Sequence, residues 1–237
     1  MKLERGPLSS DGFAAFAKKV VPFVHVASKV EGEKYPELYR ETGMGWPQAA
    51  IFDTAGHWIA RVDTSSLRSD GVAAIEAVLS GEVAAFYALR DEAAKGGKRA
   101  RAEFLMARFD RGHLTRSEMR GAIGKGSVLD EFQRDALREA LVDLETAACL
   151  RGLDGTKPET FGPFAKKLLA QHRSLGLPEG PAGVSAWRVI MEDAYLRKDA
   201  AAFAMALTAI KATGITSKKF AVTNQKRLES IQKAGKR

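Results

Sequence analysis

The chain has 237 residues, of which 45% are hydrophobic and 28% charged, and it carries a formal net charge of +8 at pH 7. This composition is ordinary for a globular protein, which excludes a disordered chain, and the length allows one large domain or two modest ones. No apolar run approaches the roughly 20 residues that cross a bilayer, so we predict no membrane span. The single cysteine, Cys149, excludes an internal disulfide and a two-cysteine redox cycle within one chain.

The first elements that the sequence predicts are a helix, a strand and a short second helix. Residues 11–20 carry aromatic and apolar side chains at helical spacing after a group of residues that cap helices well. The run at 23–28 is rich in β-branched and aromatic residues and is apolar on both faces, as in a buried strand. Residues 35–42 predict a short helix that ends at Gly43.

A proline and a hairpin follow this helix. The dipeptide Trp46-Pro47 precedes a predicted strand at 48–53, a turn at 54–57 and a second strand at 58–62. Apolar residues at helical spacing then predict a helix over 69–79. Strands that alternate with helices in this way favour an α/β layer.

The order of strand, helix, X-Pro, strand, turn and strand resembles the distal half of a thioredoxin domain. The most specific elements are the run from Gly43 to Pro47 and the Phe-Asp-x-x-Gly hairpin from Phe52 to Gly56. The resemblance covers residues 1–80 and implies that the Trp46-Pro47 peptide bond is cis. In thioredoxin-like proteins this proline faces a redox Cys-x-x-C pair, which the present sequence lacks.

The same resemblance implies a peptide-binding groove and a missing strand. Because the family pairs the backbone of this proline with a bound peptide, Trp46, Pro47 and Met44 are candidate groove residues. Residues 1–13 are similar to the segment that follows Cys-x-x-C in bacterial thioredoxin-like proteins, so the family's preceding strand has no counterpart after Met1. We therefore predict a reduced sheet of three strands whose open edge binds a partner or a second copy of the chain.

From residue 80 onward the sequence predicts helices and no strand. Glycine-rich breaks separate the helical segments. The predicted helices are 82–95, 98–111, 115–123, 129–150, 160–174, 182–197, 199–213 and 216–234. Residues 102–115 resemble a tetratricopeptide-type helix, loop and helix start, and residues 186–210 resemble another antiparallel pair.

Together these parts predict the fold class and the domain organisation. We expect an incomplete α/β thioredoxin-like domain at residues 1–80 and an all-α, tetratricopeptide-like helical-repeat domain at residues 81–237. Residues 1–80 carry 9 Lys or Arg against 10 Asp or Glu, so the excess positive charge lies in the helical part, much of it near the C-terminal end. A basic end of this kind can bind phosphate by counterion release, although a solvated terminal helix is the simpler interpretation.

The titratable residues predict no catalytic or metal site. The four histidines, His25, His57, His113 and His172, are dispersed and lack metal-ligand spacing. We interpret His25 as a core or sheet residue and His57 as a hairpin-turn residue. Cys149 lies in an apolar helical stretch, which favours a buried core position over a peroxidatic or mixed-disulfide role.

Two further patterns have structural interpretations. The adjacent acids Glu192-Asp193 predict solvent-facing charges on the outer face of a helix. Trp187 and Tyr195, on the same predicted helix, are better explained as packing anchors than as a ligand cage. The Gly121–Ser127 run superficially resembles a phosphate loop but lacks consecutive Lys and Ser or Thr, so we predict a helix–helix loop.

The function that the sequence favours is protein binding or assembly. We expect a redox-inactive thioredoxin-like protein with a helical interaction region, with a protein partner or self-association and without cofactor or metal. One alternative is a thiol-disulfide oxidoreductase whose first strand and Cys-x-x-C lie upstream of Met1, and a weaker one is a nucleic-acid accessory protein. As the chain stands no secretory signal is visible, which predicts the cytoplasm; a signal upstream would indicate the periplasm.

Overall fold

The computed structural model describes residues 10–18, 20, 49–215 and 217–234. The predicted strand at 23–28, the predicted helix at 35–42 and the three candidate groove residues Met44, Trp46 and Pro47 lie outside the described residues. The geometry of the Trp46-Pro47 bond and the three-stranded sheet therefore stay predictions. The chain divides into two compact units, residues 1–114 and 115–237.

A helix and a β-hairpin open the first unit. Helix α1 spans Asp11–Phe16, and the Ser10 side chain caps it by accepting a hydrogen bond from the N–H of Phe13 at 3.1 Å. Strands β1, Ala49–Phe52, and β2, Trp58–Val62, pair antiparallel, as the sequence predicted. A bulge between Ile51 and Phe52 shifts the pairing before the turn.

The hairpin turn is stabilised by the side chain that precedes it. One carboxylate oxygen of Asp53 accepts hydrogen bonds from the main-chain N–H groups of Ala55 and His57, at 2.8 and 2.9 Å. Gly56 lies at φ +86°, a conformation that favours glycine. The turn therefore follows from local sequence alone.

Three helices complete the first unit: α2, Thr64–Asp70; α3, Val72–Ala94; and α4, Lys98–Asp110. Asp63 caps α2, which explains why helical structure begins earlier than the predicted start at residue 69. The helices predicted at 69–79 and 82–95 are not separated by a loop, because α3 continues through a π-helical turn at Leu79–Val83.

The hairpin and these helices share a small core. Ile59 and Ala60 of β2 are buried against Val83 and Phe86 of α3. Val62 at the end of β2 is buried in a neighbouring group with Leu67 of α2 and Ala74 of α3. Burial of such side chains supplies roughly 1.5–3 kcal/mol each, so the sheet depends on α3 for its stability.

Helix α3 is also the one helix of the described residues that is long and apolar enough to cross a membrane by length and composition. The sequence predicted no membrane span, and α3 is the described segment that comes nearest to one. Glu76 and Glu82 interrupt the apolar run, and Val83 and Phe86 are buried against β2. One such helix is weak evidence of a span, because helices that pack on protein pass the same test.

The described residues of the second unit form helices joined by loops, and no strand. The helices are α5, Arg116–Ile123; α6, Glu131–Leu150; α7, Gly162–Ser174; α8, Gly180–Leu196; α9, Ala200–Ala212; and α10, Lys218–Ala234, with a short 3₁₀ helix at Pro158–Thr160. The sequence predicted each α-helix to within about two residues at either end. The chain is thus mostly helical with a small antiparallel sheet, while the thioredoxin-like and tetratricopeptide-like identities of its parts stay predictions.

Caps explain where several of these helices begin. Thr115 and Glu118 form a reciprocal capping box at α5, and Asp130 and Gln133 form another at α6. The Asp199 side chain caps α9 by accepting from the N–H of Ala202 at 2.9 Å. Each of these caps is a contact between residues three apart in the sequence.

The core of the second unit surrounds α8, which packs against α6, α7, α9 and α10. Ile190 and Ala194 of α8 are fully buried with Leu168 of α7 and with Phe203 and Leu207 of α9. Trp187 is buried as the predicted packing anchor, and Tyr195 packs against the same core.

The prediction for Glu192 and Asp193 was wrong. Asp193 is only 6% exposed and accepts a hydrogen bond from Arg197 Nε at 2.9 Å. Glu192 is partly buried and binds Arg227 on α10. Charged residues at a packed helix face are retained when they are paired, and the sequence pattern did not show which partners would reach them.

Candidate functional site

A groove with a volume of about 380 Å³ lies between α5, α6 and α7 in the second unit. We call it the basic groove. Its lining residues are Arg116, Arg120, Glu145, Ala148, Cys149, Lys167, Ala170, Gln171 and Ser174. The volume falls within the range of small-ligand pockets.

The lining follows from helical periodicity. Lys167, Ala170, Gln171 and Ser174 are spaced i, i+3, i+4 and i+7 on α7, so they share one face. Helix α6 contributes Glu145, Ala148 and Cys149 at i, i+3 and i+4, and α5 contributes Arg116 and Arg120 at i and i+4. The small alanines leave room between longer side chains.

Two walls of the groove are joined by a buried polar contact. The Gln171 amide on α7 donates hydrogen bonds to the main-chain oxygen of Val142, at 3.1 Å, and to Thr146 Oγ1, at 2.7 Å. Gln171 is 9% exposed and Thr146 is 1% exposed. A buried amide that lost these partners would cost stability, so the contact holds α6 and α7 at a defined spacing.

The groove carries an excess of positive charge. Arg120 pairs with Glu145, with Arg120 Nη2 lying 3.1 Å from Glu145 Oε1. Arg116 and Lys167 form no ion pair or hydrogen bond within the part of the chain that the structure describes. Three cations against one carboxylate leave a net charge of +2 on the lining. Such a surface attracts anions.

Cys149 packs against the core of the second unit, as the sequence predicted, but it also lines this groove and is not fully buried. It is half-buried, and its thiol donates to the main-chain oxygen of Phe164 across 3.7 Å. Burial raises the pKa of the Cys149 thiol, and the nearby charge of Lys167 offsets only part of that rise. A thiol with a raised pKa is a poor nucleophile at neutral pH, which argues against redox catalysis at Cys149.

The first unit brings together two histidines that the sequence left apart. His57, in the hairpin turn as predicted, stacks on His113 with ring centroids 5.0 Å apart. His113 Nε2 lies 2.6 Å from the main-chain oxygen of Trp58 and donates to it, because a carbonyl oxygen can only accept. Arg111 Nε likewise donates to the main-chain oxygen of Ile59 at 2.8 Å. These two hydrogen bonds hold the segment that follows α4 against β2.

Within the part of the chain that the structure describes, this histidine pair has no further ligands with which to form a metal site. Among the described residues, no group of three or more His, Cys, Asp or Glu side chains is placed to hold a metal ion. His57 Nδ1 lies 3.4 Å from Asp53 Oδ2, and burial lowers the pKa of His113 despite its hydrogen bond to Trp58. These contacts indicate that the histidine pair has a structural role in stabilising the hairpin.

The sequence analysis did not identify the basic groove, although the helical spacing of the residues that each of the three helices contributes can be seen in the sequence. The spacing of Arg116 and Arg120, for example, already places both on one side of a helix. Which helices would face one another was not readable. No protein-family model, curated protein or solved structure matches this chain.

Proposed function

We propose that this chain is a protein-binding module whose partner site is the basic groove. The proposed partner presents an anionic segment to α5, α6 and α7. In this proposal, residues 1–80 form a redox-inactive thioredoxin-like part and the helices that follow form a tetratricopeptide-like interaction region.

The observation that supports the binding site is the pair of uncompensated cations, Arg116 on α5 and Lys167 on α7, that line the groove. Like charges that line one concavity repel one another, and a bound anion relieves that repulsion. The guanidinium supplies a planar set of donors and the ammonium supplies a mobile point charge. Small alanines between them give an extended segment room to approach.

The state of Cys149 supports the redox-inactive part of the proposal. It is the chain's one cysteine, and its thiol has a raised pKa. A thioredoxin-type cycle needs a low-pKa thiolate and a second thiol that resolves the mixed disulfide. Binding, and not thiol exchange, is therefore the function that these residues favour.

The experiment is site-specific photocrosslinking followed by affinity measurement. A photocrosslinking amino acid replaces Ala170, which is exposed on the groove wall, and in a control protein it replaces Val222, which is 57% exposed on α10. A protein crosslinked from position 170 but not from 222 is then purified and its affinity for the chain is measured.

Two charge-reversal variants test whether the partner binds at the basic groove. Arg116→Glu with Lys167→Glu should weaken binding at least tenfold, whereas Lys226→Glu with Lys233→Glu, on exposed positions of α10, changes net charge equally and should leave affinity unchanged. Both variants should keep the fold because surface substitutions rarely change stability by more than about 0.5 kcal/mol. Equal affinities in the two variants would overturn the proposal, and a crosslinked second copy of the chain would identify self-association.

Nucleic acid is the second candidate, and the observation that favours it is the exposure of Lys218, Lys219, Lys226 and Lys233 along α10. Phosphate neutralisation by these lysines would make affinity fall steeply with salt. In that case the α10 variant, and not the groove variant, would lose binding and would reduce the slope of log affinity against log salt.

A further inference from the structure

We infer that the basic groove is a site for a phosphate monoester in its dianionic form. The inference rests on the proposed function only for the carrier of the phosphate, which would be a phosphorylated side chain of the partner.

The charges that line the basic groove match a dianion. Glu145 already neutralises Arg120, with 3.1 Å between Nη2 and Oε1, so these two residues form the neutral side of the groove. The remaining charge of +2 resides on Arg116 and Lys167, which come from α5 and α7. A single carboxylate, with one negative charge, would leave one of these cations uncompensated. A phosphate monoester carries a charge of about −1.5 to −2 at pH 7, which matches both.

Donor geometry also favours phosphate. The three acceptor oxygens of a phosphate monoester are arranged tetrahedrally and can accept hydrogen bonds from two directions at once. A planar carboxylate is best bound by two parallel N–H groups of one guanidinium. Here a guanidinium and an ammonium approach from different helices. Arginine with lysine is a combination well suited to such an anion.

The space fits a phosphate with a carrier attached. A volume of about 380 Å³ exceeds what an isolated phosphate fills, so part of the groove is left for the group that carries it. Ala148 and Ala170 are small lining residues that leave room for such a group. The buried contact between Gln171 and Thr146 fixes the spacing of α6 and α7, two of the three helices that line the groove.

Cys149 provides an internal reporter for this site. The charge of Lys167 lowers the pKa of the Cys149 thiol, against the larger effect of burial. An anion bound to Lys167 would cancel that influence and would also shield the sulfur, so alkylation would slow down. Since the chain has one cysteine, the measured rate belongs to this position alone.

The test measures the rate of Cys149 alkylation by iodoacetamide in the full chain at pH 7.5 and constant ionic strength. The probes are inorganic phosphate, capped phosphoserine and capped glutamate, with chloride as the reference salt. Phosphate and phosphoserine should slow the reaction severalfold in a saturable manner, and glutamate should do so weakly. A phosphate effect no larger than that of chloride would overturn the inference.

Variants separate specific binding from a general salt effect. Lys167→Gln and Arg116→Gln should each weaken the apparent affinity for phosphate about tenfold, as expected for the loss of a charge-assisted hydrogen bond, while Lys226→Gln should leave it unchanged. Undiminished protection in the Arg116→Gln, Lys167→Gln double variant would also overturn the inference.

The experiments distinguish a failure of the phosphate proposal from a failure of the protein-binding proposal. If phosphate protects Cys149 but no partner crosslinks at the groove, the phosphate site stands and its carrier is a small phosphorylated molecule. If a partner binds at the groove but neither phosphate nor phosphoserine competes with it, the protein-binding function stands and the phosphate inference is wrong.

Discussion

The guanidinium of Arg227 on α10 donates to both carboxylate oxygens of Glu192 on α8, with Nη1–Oε1 at 2.8 Å and Nη2–Oε2 at 2.6 Å. The same guanidinium lies 3.9 Å from the centroid of the Tyr195 ring. Hydrogen bonding to Glu192 raises the pKa of Arg227. A two-point ion pair that also stacks on an aromatic ring fixes the orientation of α10 on the core of the second unit.

Replacing Arg227 by glutamine should lower the free energy of unfolding by about 1–2 kcal/mol, because Glu192 would lose two charge-assisted hydrogen bonds in a partly buried position. Denaturant unfolding measures the change. Lys226→Gln is the matched control, since Lys226 is exposed on the same helix and should change stability by less than about 0.5 kcal/mol. Equal effects of the two substitutions would show that the ion pair contributes nothing to stability.

Gly183, in the first turns of α8, is predicted to be intolerant of any side chain. A Cβ at this position would lie 1.8 Å from the main-chain oxygen of Pro178, and backbone cannot move aside cheaply. Gly183→Ala should therefore lower the free energy of unfolding by about 3 kcal/mol, at the upper end of what overpacking usually costs.

Gly121 in α5 is the control for this substitution. A Cβ added there meets nothing within 4 Å, so Gly121→Ala should raise stability by about 0.5–1 kcal/mol through reduced entropy of the unfolded chain. Thermal unfolding of both variants measures the effects. The close approach of Pro178 to α8 would be contradicted if both substitutions were stabilising.

The first unit should lose stability as the pH falls below the ordinary pKa of histidine. Burial lowers the pKa of His113 from its usual value of 6.5, so the unfolded chain takes up a proton at a higher pH than the folded chain does. Stability from this group is complete above pH 6.5 and declines as the pH falls through the window between the two pKa values. A protonated His113 would also face its stacked neighbour His57.

Proton NMR titration of the imidazole signals checks this directly, and His113 should titrate below 6.5. The variant His113→Gln should show a smaller loss of stability between pH 7.5 and 5 than the unsubstituted protein does. A His113 signal that titrates at or above 6.5 would contradict the effect of burial.

The chain should not catalyse disulfide reduction. Its single thiol, that of Cys149, has a raised pKa and no second cysteine with which to complete a cycle. In an insulin-reduction assay the purified protein should give only the background caused by added thiol. Turnover above that background, lost in Cys149→Ser, would contradict the proposal of a redox-inactive protein.

Local signals predicted much of the fold. Asp53 and Gly56 define the hairpin turn, and the pairs Thr115–Glu118 and Asp130–Gln133 mark helix starts, because each acts within four residues of its position. The exception was α3, where no proline stands between the two predicted helices and a π-helical turn carries the chain past Gly81.

Long-range pairings were not predictable in this way. Glu192 was interpreted as a solvent charge because nothing near it in sequence shows that Arg227, 35 residues later, will reach it. The basic groove was not predicted for the same reason. Helical spacing places Arg116 and Lys167 on faces of their own helices, but only the packing of α5, α6 and α7 decides that these faces line one concavity.

Methyl NMR with ¹³C-labelled alanine tests most directly whether the basic groove is where a partner binds. The purified partner found by crosslinking is titrated into the full chain while the alanine methyl signals are followed. The signals of Ala148 and Ala170, which line the groove, should shift first and saturate with the binding curve, while that of Ala221 on α10 stays in place. Shifts at Ala221 with unchanged signals from Ala148 and Ala170 would contradict the assignment of the groove as the binding site.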